Sequence, residues 1–243
     1  MTTSAIIPTY QEHETAPTVV GELQANGIGE TVVVDDSPGL ETAKAVRQTH
    51  PETTVIHREA DGLASAVLRG MMAASGSTYL VVDGDGQHPP TAAAEIAAVV
   101  DRGEADLAVG TRHADGGGVA DDWPAHRRVI SAGADALARV AVPPCRELSD
   151  PMSGLFAVDA AVVDAVLPRL RPAGYKIILE VLARCDINEI EEVGYQFQTA
   201  DSGSNLGLRE YLRYLRHLTR LAVPSRQRAT GRERVIAAEE VVE

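Results

Sequence analysis

Thr78-Tyr-Leu-Val-Val-Asp83-Gly-Asp-Gly-Gln-His88 decides the architecture of this chain. An apolar, β-prone run stops abruptly in a turn of Asp and Gly, which reads as a buried strand delivering polar groups at its carboxyl end. The same pattern recurs outward in both directions. Ser4-Ala-Ile-Ile-Pro8, Thr31-Val-Val-Val-Asp35, Thr53-Thr-Val-Ile-His57 and Ala105 to Thr111 read as further strands. Between them Ala16 to Ala25, Glu41 to Gln48, Leu63 to Ala74 and Thr91 to Arg102 carry helical periodicity. Apolar strands alternating with helices predict an α/β fold, a mostly parallel sheet covered by helices on both faces. Ligands of such sheets bind beyond the carboxyl ends of the strands. Four of those ends are polar here: Pro8-Thr-Tyr-Gln-Glu12, Asp35-Asp-Ser-Pro38, Asp83 to His88 and Gly110-Thr-Arg112. They are expected to converge on one crevice.

Beyond Arg112 the pattern changes. His113 to Asp122 reads as a Gly- and Asp-rich loop, Pro124 to Val140 as a helix, and Asp150-Pro-Met-Ser-Gly-Leu-Phe156 as the lead into another strand. Tyr175 to Cys185 and Leu206 to Val223 read as helices and Ile190 to Phe197 as a strand. These features divide the chain into a domain over residues 1–205, a helix at 206–223 and a polar tail at 224–243, expected to be flexible.

Composition narrows the function classes. Asp and Glu number 35 against 22 Lys and Arg, a net charge of −13, which argues against general nucleic-acid binding. Only Lys44 and Lys176 of the basic residues are lysine. An acidic, lysine-poor chain fits a protein from a high-salt, haloarchaeal cytoplasm; a GC-rich genome explains the lysine deficit but not the acidity. Two cysteines, Cys145 and Cys185, are too few for a disulfide scaffold and read as core residues in a reducing compartment. No apolar run approaches the ~20 residues that cross a bilayer, so a cytoplasmic protein without a transmembrane segment is expected.

The chemistry lies in the strand ends. Asp83 and Asp85, with the Gln87 amide two positions on, offer hard oxygen ligands to one divalent cation, Mg²⁺ or Mn²⁺, with room for phosphate oxygens. A bland Asp-Gly turn has the same composition; placement after a buried strand, beside other acidic strand ends, favours the site. Arg112 and Arg127 carry planar donor forks matched to phosphate, and Arg127 and Ser131 at i, i+4 share a helix face. A surface ion pair for Arg112 and a solvated face for Arg127 are the competing readings.

Together these motifs resemble a family 2 glycosyltransferase of the GT-A fold, of the dolichyl-phosphate mannose synthase type. That group carries Pro-x-Tyr-Asn-Glu, Val-Asp-Asp-x-Ser-Pro, Asp-x-Asp-x-x-His-Pro-Pro, Gly-(Ser/Thr)-Arg, Arg-x-x-x-Ser, Asp-x-x-Ser-Gly-Phe and Gly-Tyr-Lys-Ile-x-x-Glu. Here they stand in the same order as Pro8 to Glu12, Val34 to Pro38, Asp83 to Pro90, Gly110 to Arg112, Arg127 with Ser131, Asp150 to Phe156 and Gly174 to Glu180. The resemblance implies an inverting, metal-dependent transfer of a hexose from a nucleotide-sugar, GDP-mannose or UDP-glucose, to dolichyl or polyprenyl phosphate. It implies that Pro8, Tyr10 and Glu12 hold the nucleoside, with Asp36 on the base or ribose. By the same resemblance Asp83 faces the ribose and diphosphate, Asp83, Asp85 and Gln87 form the metal site, and Arg112, Arg127 and Ser131 receive the acceptor phosphate. Asp150 would orient an arginine. Lys176 and Glu180, at i, i+4, equally describe a structural pair.

The chain departs from the family in places. Gln11 replaces the usual Asn, Ala200 stands where an arginine is usual, and Asn205 where a lysine is usual. The missing cations would normally help hold phosphates, which keeps open a catalytically weak, nucleotide-sugar-binding or scaffolding homologue. Transfer to a hydroxyl acceptor is the other alternative, and the intact Arg112, Arg127 and Ser131 set argues against it. A polyprenyl acceptor sits in a membrane, and residues 206–223 offer an approach to one. Arg209, Arg213, Arg216 and Arg220 form a basic stripe beside Leu208, Tyr211, Leu212, Leu215, Leu218 and Val223. Such a helix suits the inner membrane surface, or packs on the domain with its arginines solvated.

Overall fold

The computed structural model describes residues 2–58, 62–112, 125–171, 176–196 and 208–222, with the backbone alone at 125–132 and 208–212. The expected loop at 113–122, the family positions Gly174, Tyr175, Ala200 and Asn205, and the tail at 224–243 lie outside the described residues.

Seven strands form one sheet in the order β3-β2-β1-β4-β6-β5-β7 among the described residues. They are β1 (Thr3–Thr9), β2 (Glu30–Asp35), β3 (Thr54–His57), β4 (Thr78–Val81), β5 (Leu107–Thr111), β6 (Phe156–Asp159) and β7 (Ile190–Gly194). The helices are α1 (Ala16–Ala25), α2 (Glu41–Thr49), α3 (Leu63–Met71), α4 (Pro90–Asp101), α5 (Ala125–Ala141), α6 (Ala160–Asp164), α7 (Ile177–Arg184) and α8 (Leu208–Ala222). The mostly parallel sheet matches the expectation. Its exception is β6, which runs antiparallel between β4 and β5.

Side chains alternate across the strands and build apolar clusters, two of them large. Ile6, Tyr79, Val81, Leu107 and Val109 enter one, packed by residues of α3, α5, α7 and α8. Ala5, Ile7, Leu80, Val82 and Ala108 enter the other, against α1 and α4. This double burial explains why the strands read as continuous apolar runs rather than alternating ones. Pro90 opens α4, where a missing N–H is one of the helix's unpaired donors anyway.

The strand order fixes where a ligand goes. The chain leaves β1 for β2 and β3 on one side, then returns to place β4 on the other. Such a reversal opens a crevice at the carboxyl ends of the two central strands, here the segments after Thr9 and Val81.

The last helix packs on the domain. Tyr214, His217, Leu218 and Leu221 are buried at helical spacing, and the Tyr214 hydroxyl donates to the Ala134 carbonyl of α5 at 2.7 Å. Arg213, Arg216 and Arg220 lie on the exposed side with Leu215. No helix among the described residues is long and apolar enough to cross a membrane.

Candidate active site

Four segments frame the crevice. After β1, Tyr10 stands 56% exposed, an aromatic surface open to a ligand, whereas Pro8 is buried within the strand opposite Val34. The turn is tight: Gln11 adopts φ 59°, and its N–H donates to Ser37 Oγ at 2.7 Å. Asn tolerates that left-handed conformation better than most residues, which gives a physical reason for the Asn usual in the motif.

After β2, two consecutive acids do different work. Asp35 is wholly buried and gathers Thr9 Oγ1 (3.2 Å), Ser37 N–H (3.2 Å) and the Ser37 hydroxyl (2.5 Å) on Oδ1, with His57 Nδ1 at 3.1 Å from Oδ2. It is a hub joining three strand ends. Asp36 receives a bidentate pair from Arg58, Nε to Oδ1 at 2.6 Å and Nη2 to Oδ2 at 2.8 Å. Sequence reasoning missed Arg58, because the distance from a strand end to a neighbouring strand's acid is a tertiary fact.

After β4 comes the acidic loop. The Gln87 N–H donates to Asp85 Oδ1 at 2.9 Å, closing an Asx turn at the second acid of the loop. Glu12 lies against this loop: a Cβ added to Gly84 would come within 2.6 Å of Thr9 Cγ2 and 2.7 Å of Glu12 Oε2, so any larger residue would have to displace those side chains. At Gly154 a Cβ would meet Asp83 Oδ2 at 2.8 Å, so a larger residue there would have to shift that carboxylate. Burial, reinforced by the Asp85 and Asp83 charges, pushes the Glu12 carboxyl up to about 8. Burial and the Asp83 charge raise Asp85 as well. Burial also works against the charge of Asp83, but the His88 hydrogen bond and the charges of His88 and Lys176 hold it below the ordinary carboxylate value. His88 Nε2 sits 3.4 Å from Asp83 Oδ2, and its ring packs against Tyr195 at 5.6 Å.

The fourth segment carries the cations. Arg112 donates Nε to Asp150 Oδ2 at 2.7 Å and Nη2 to Asp150 Oδ1 at 3.0 Å. Burial alone would lower the Arg112 pKa; the Asp150 carboxylate raises it instead. The loop bearing Asp150 is held from both sides. Glu192 of β7 accepts the Ser149 N–H at 2.9 Å and its hydroxyl at 2.9 Å, and Arg139 of α5 donates to the Leu148 carbonyl at 2.8 Å. Lys176, at the start of α7, donates to the Met152 carbonyl. Burial lowers its pKa, and it feels Asp83, the like-charged Arg112, Asp150 and Asp135. It therefore lies within electrostatic reach of both the acidic loop and the arginine. The sequence left a Lys176–Glu180 pair open, and the structure corrects it: Glu180 bonds Arg184 at 2.5 Å and His217 at 3.2 Å instead.

Arg127 and Ser131 lie on α5, their side chains outside the described residues. On the backbone helix they fall at i and i+4 relative to Asp135 at i+8, so the three share one face. Asp135 acts electrostatically on both Arg112 and Lys176.

The residues present fit a divalent cation. Glu12 Oε2 is buried with no hydrogen-bond partner, beside Asp83 and Asp85, and Glu12 has no ion-pair partner among the described residues. An acidic group of this kind is most stable with positive charge supplied from outside. No three His, Cys, Asp or Glu among the described residues form a ready-made cage. Asp83, Asp85 and the Gln87 amide are the hard oxygen groups there that would suit Mg²⁺ or Mn²⁺, ions that keep places for water and substrate phosphates.

Comparison with known proteins bears on the family and the fold. Residues 4–156 match the model of Glycosyl transferase family 2. The chain is 36% identical over 228 residues to a dolichol-phosphate mannosyltransferase of Pyrococcus furiosus, covering 91% of this chain and 64% of that one. It thus spans under two thirds of that relative's length. It is 31% identical over 234 residues to the protein of the same name from Mycosarcoma maydis, covering 90% of this chain and 78% of the other. Among solved structures, glucosyl-3-phosphoglycerate synthase of Mycobacterium tuberculosis, crystallised with Mg²⁺ and UDP, superposes with a TM-score of 0.66 at 17% identity, over 90% of this chain and 77% of that one. That likeness is one of fold, the GT-A architecture.

Proposed function

Because the chain belongs to glycosyltransferase family 2, we propose that it transfers a hexose, mannose in the first instance, from a nucleotide-sugar to the phosphate of a dolichyl or polyprenyl lipid. The observation that carries this reading is the meeting, at one sheet edge, of an acidic loop built for a cation and an arginine built for an anion. Lys176, which feels both Asp83 and Arg112, links the two halves. The curated relatives bear the name dolichol-phosphate mannosyltransferase, which supports the lipid phosphate as acceptor.

In this reading Tyr10 offers its ring to the nucleobase, Asp36 accepts from the base or ribose, and Glu12 and Asp83 face the ribose and diphosphate. Asp83, Asp85 and Gln87 would hold the divalent cation. Bound there, the ion neutralises charge on the departing diphosphate. Arg112, with Arg127 and Ser131 from α5, holds the acceptor phosphate. A lipid phosphate is anionic at neutral pH and needs no general base to attack. The reaction is a single in-line displacement: an acceptor phosphate oxygen bonds to the anomeric carbon as the bond from that carbon to the diphosphate oxygen breaks, inverting the centre. Positioning and fixed charge supply the acceleration. The exposed arginines of α8 would rest on anionic headgroups while its apolar face stays on the domain.

The test is direct. Purified protein, Mg²⁺ or Mn²⁺, polyprenyl phosphate and either GDP-mannose or UDP-glucose in high salt should yield a lipid-linked sugar. No lipid-linked product from any donor of a wider panel overturns the proposal.

A further inference from the structure

The carboxyl ends of β2 and β3 carry two acids and two bases in matched register. Asp35 lies opposite His57 on the parallel ladder, and Asp36 and Arg58 each follow one residue later. The first couple is internal, with Asp35 wholly buried. The second is different. Asp36 Oδ2 accepts from Arg58 Nη2 at 2.8 Å and from the Gly62 N–H at 3.1 Å; Oδ1 accepts from Arg58 Nε at 2.6 Å. Each carboxylate oxygen offers two lone-pair positions. Oδ2 is therefore filled, and one in-plane position remains on Oδ1 among the described residues. The side chain is 6% exposed, so little of the carboxylate is open to solvent. Arg58 is itself tied to the start of α3, donating Nη2 to Ser65 Oγ at 2.9 Å and Nη1 to the Ser65 carbonyl at 3.3 Å.

We propose that Arg58 is a positioning residue for nucleotide recognition. It locks the plane of Asp36 and turns that carboxylate into a single-site acceptor for one N–H of the nucleobase. The fork geometry is what matters: a lysine at 58 keeps the charge but cannot hold both oxygens in one plane. The inference rests on the assignment of Asp36 to the nucleoside made above.

The test separates base reading from general loss of binding. Calorimetry with Mg²⁺ would compare UDP and GDP, their N3-methyl-uridine and N1-methyl-guanosine counterparts, and pyrophosphate, which has no base. Wild type is expected to bind one nucleotide about tenfold or more tighter than its methylated form. Arg58→Lys and Arg58→Gln should bring that ratio close to one while leaving pyrophosphate affinity within about twofold of wild type. Asp36→Asn should lose the same discrimination. If Arg58→Gln unfolds, Arg58→Lys, with charge retained and folding checked by thermal melting, decides alone. Discrimination kept in Arg58→Lys, or nucleotide and pyrophosphate binding weakened in parallel, overturns the role of Arg58 and leaves the proposed transfer standing. Wild-type protein that binds neither nucleotide overturns both.

Discussion

Arg112 and Asp150 form a two-pronged pair, with Nε to Oδ2 at 2.7 Å and Nη2 to Oδ1 at 3.0 Å, and the Asp150 side chain is only 1% exposed. The aspartate takes two of five guanidinium donors and sets the plane of the fork. A phosphate held by Arg112, as proposed, would meet an oriented cation rather than a mobile one.

Asp150→Ala should therefore damage folding as well as activity. Removing one partner leaves the largely buried Arg112 charge uncompensated, which typically costs about 3–5 kcal/mol. Urea unfolding measures it; a midpoint equal to wild type would show that the pair is dispensable.

Asp85→Ala should lower transfer by about a hundredfold or more, since charge neutralisation on a leaving diphosphate is worth several kcal/mol. It should also abolish the rise in melting temperature that Mg²⁺ or Mn²⁺ gives the parent protein. Activity near the parent level would remove the cation from the mechanism.

Glu12 makes stability depend on pH in a defined direction. Its folded-state value of about 8 lies above its ordinary 4.5, so the folded state holds the proton more tightly. The stabilisation from that proton is complete below about 4.5 and is lost as pH rises through about 8. In cation-free buffer, urea midpoints should fall across this window, and Glu12→Gln should flatten the fall. A wild-type profile no steeper than that of the variant counts against the arrangement.

Glu180 predicts the opposite sign. Burial opposes its charge, but hydrogen bonds from His217 and Arg184 hold it below its ordinary 4.5. Its stabilisation is present above 4.5 and is lost as pH falls through the depressed folded value. Glu180→Gln should cost about 1–3 kcal/mol at neutral pH, read by urea unfolding. A loss below a few tenths of a kcal/mol would mean that the α7–α8 junction does not use the charge.

Gln11→Gly should stabilise the protein by about 1 kcal/mol, because the left-handed conformation burdens every residue with a Cβ. Thermal melting would show it, and an unchanged or lower melting temperature would contradict the strain.

The sequence by itself determined the layers and the edge where chemistry gathers. Apolar strands and amphipathic helices alternate with a period that only a double-covered sheet satisfies, and the acids and Arg112 sit where those strands end. Local spacing was enough because an element's period and its terminus are local properties. Tertiary structure alone decided the partners. The antiparallel β6 between β4 and β5, Arg58 on Asp36, and Lys176 on the Met152 carbonyl while Glu180 binds His217 all join residues distant along the chain. Such couples depend on which strands lie side by side and which helix faces meet. The i, i+4 spacing of Lys176 and Glu180 allowed them a mutual pair, and only burial of each beside other charges ruled it out.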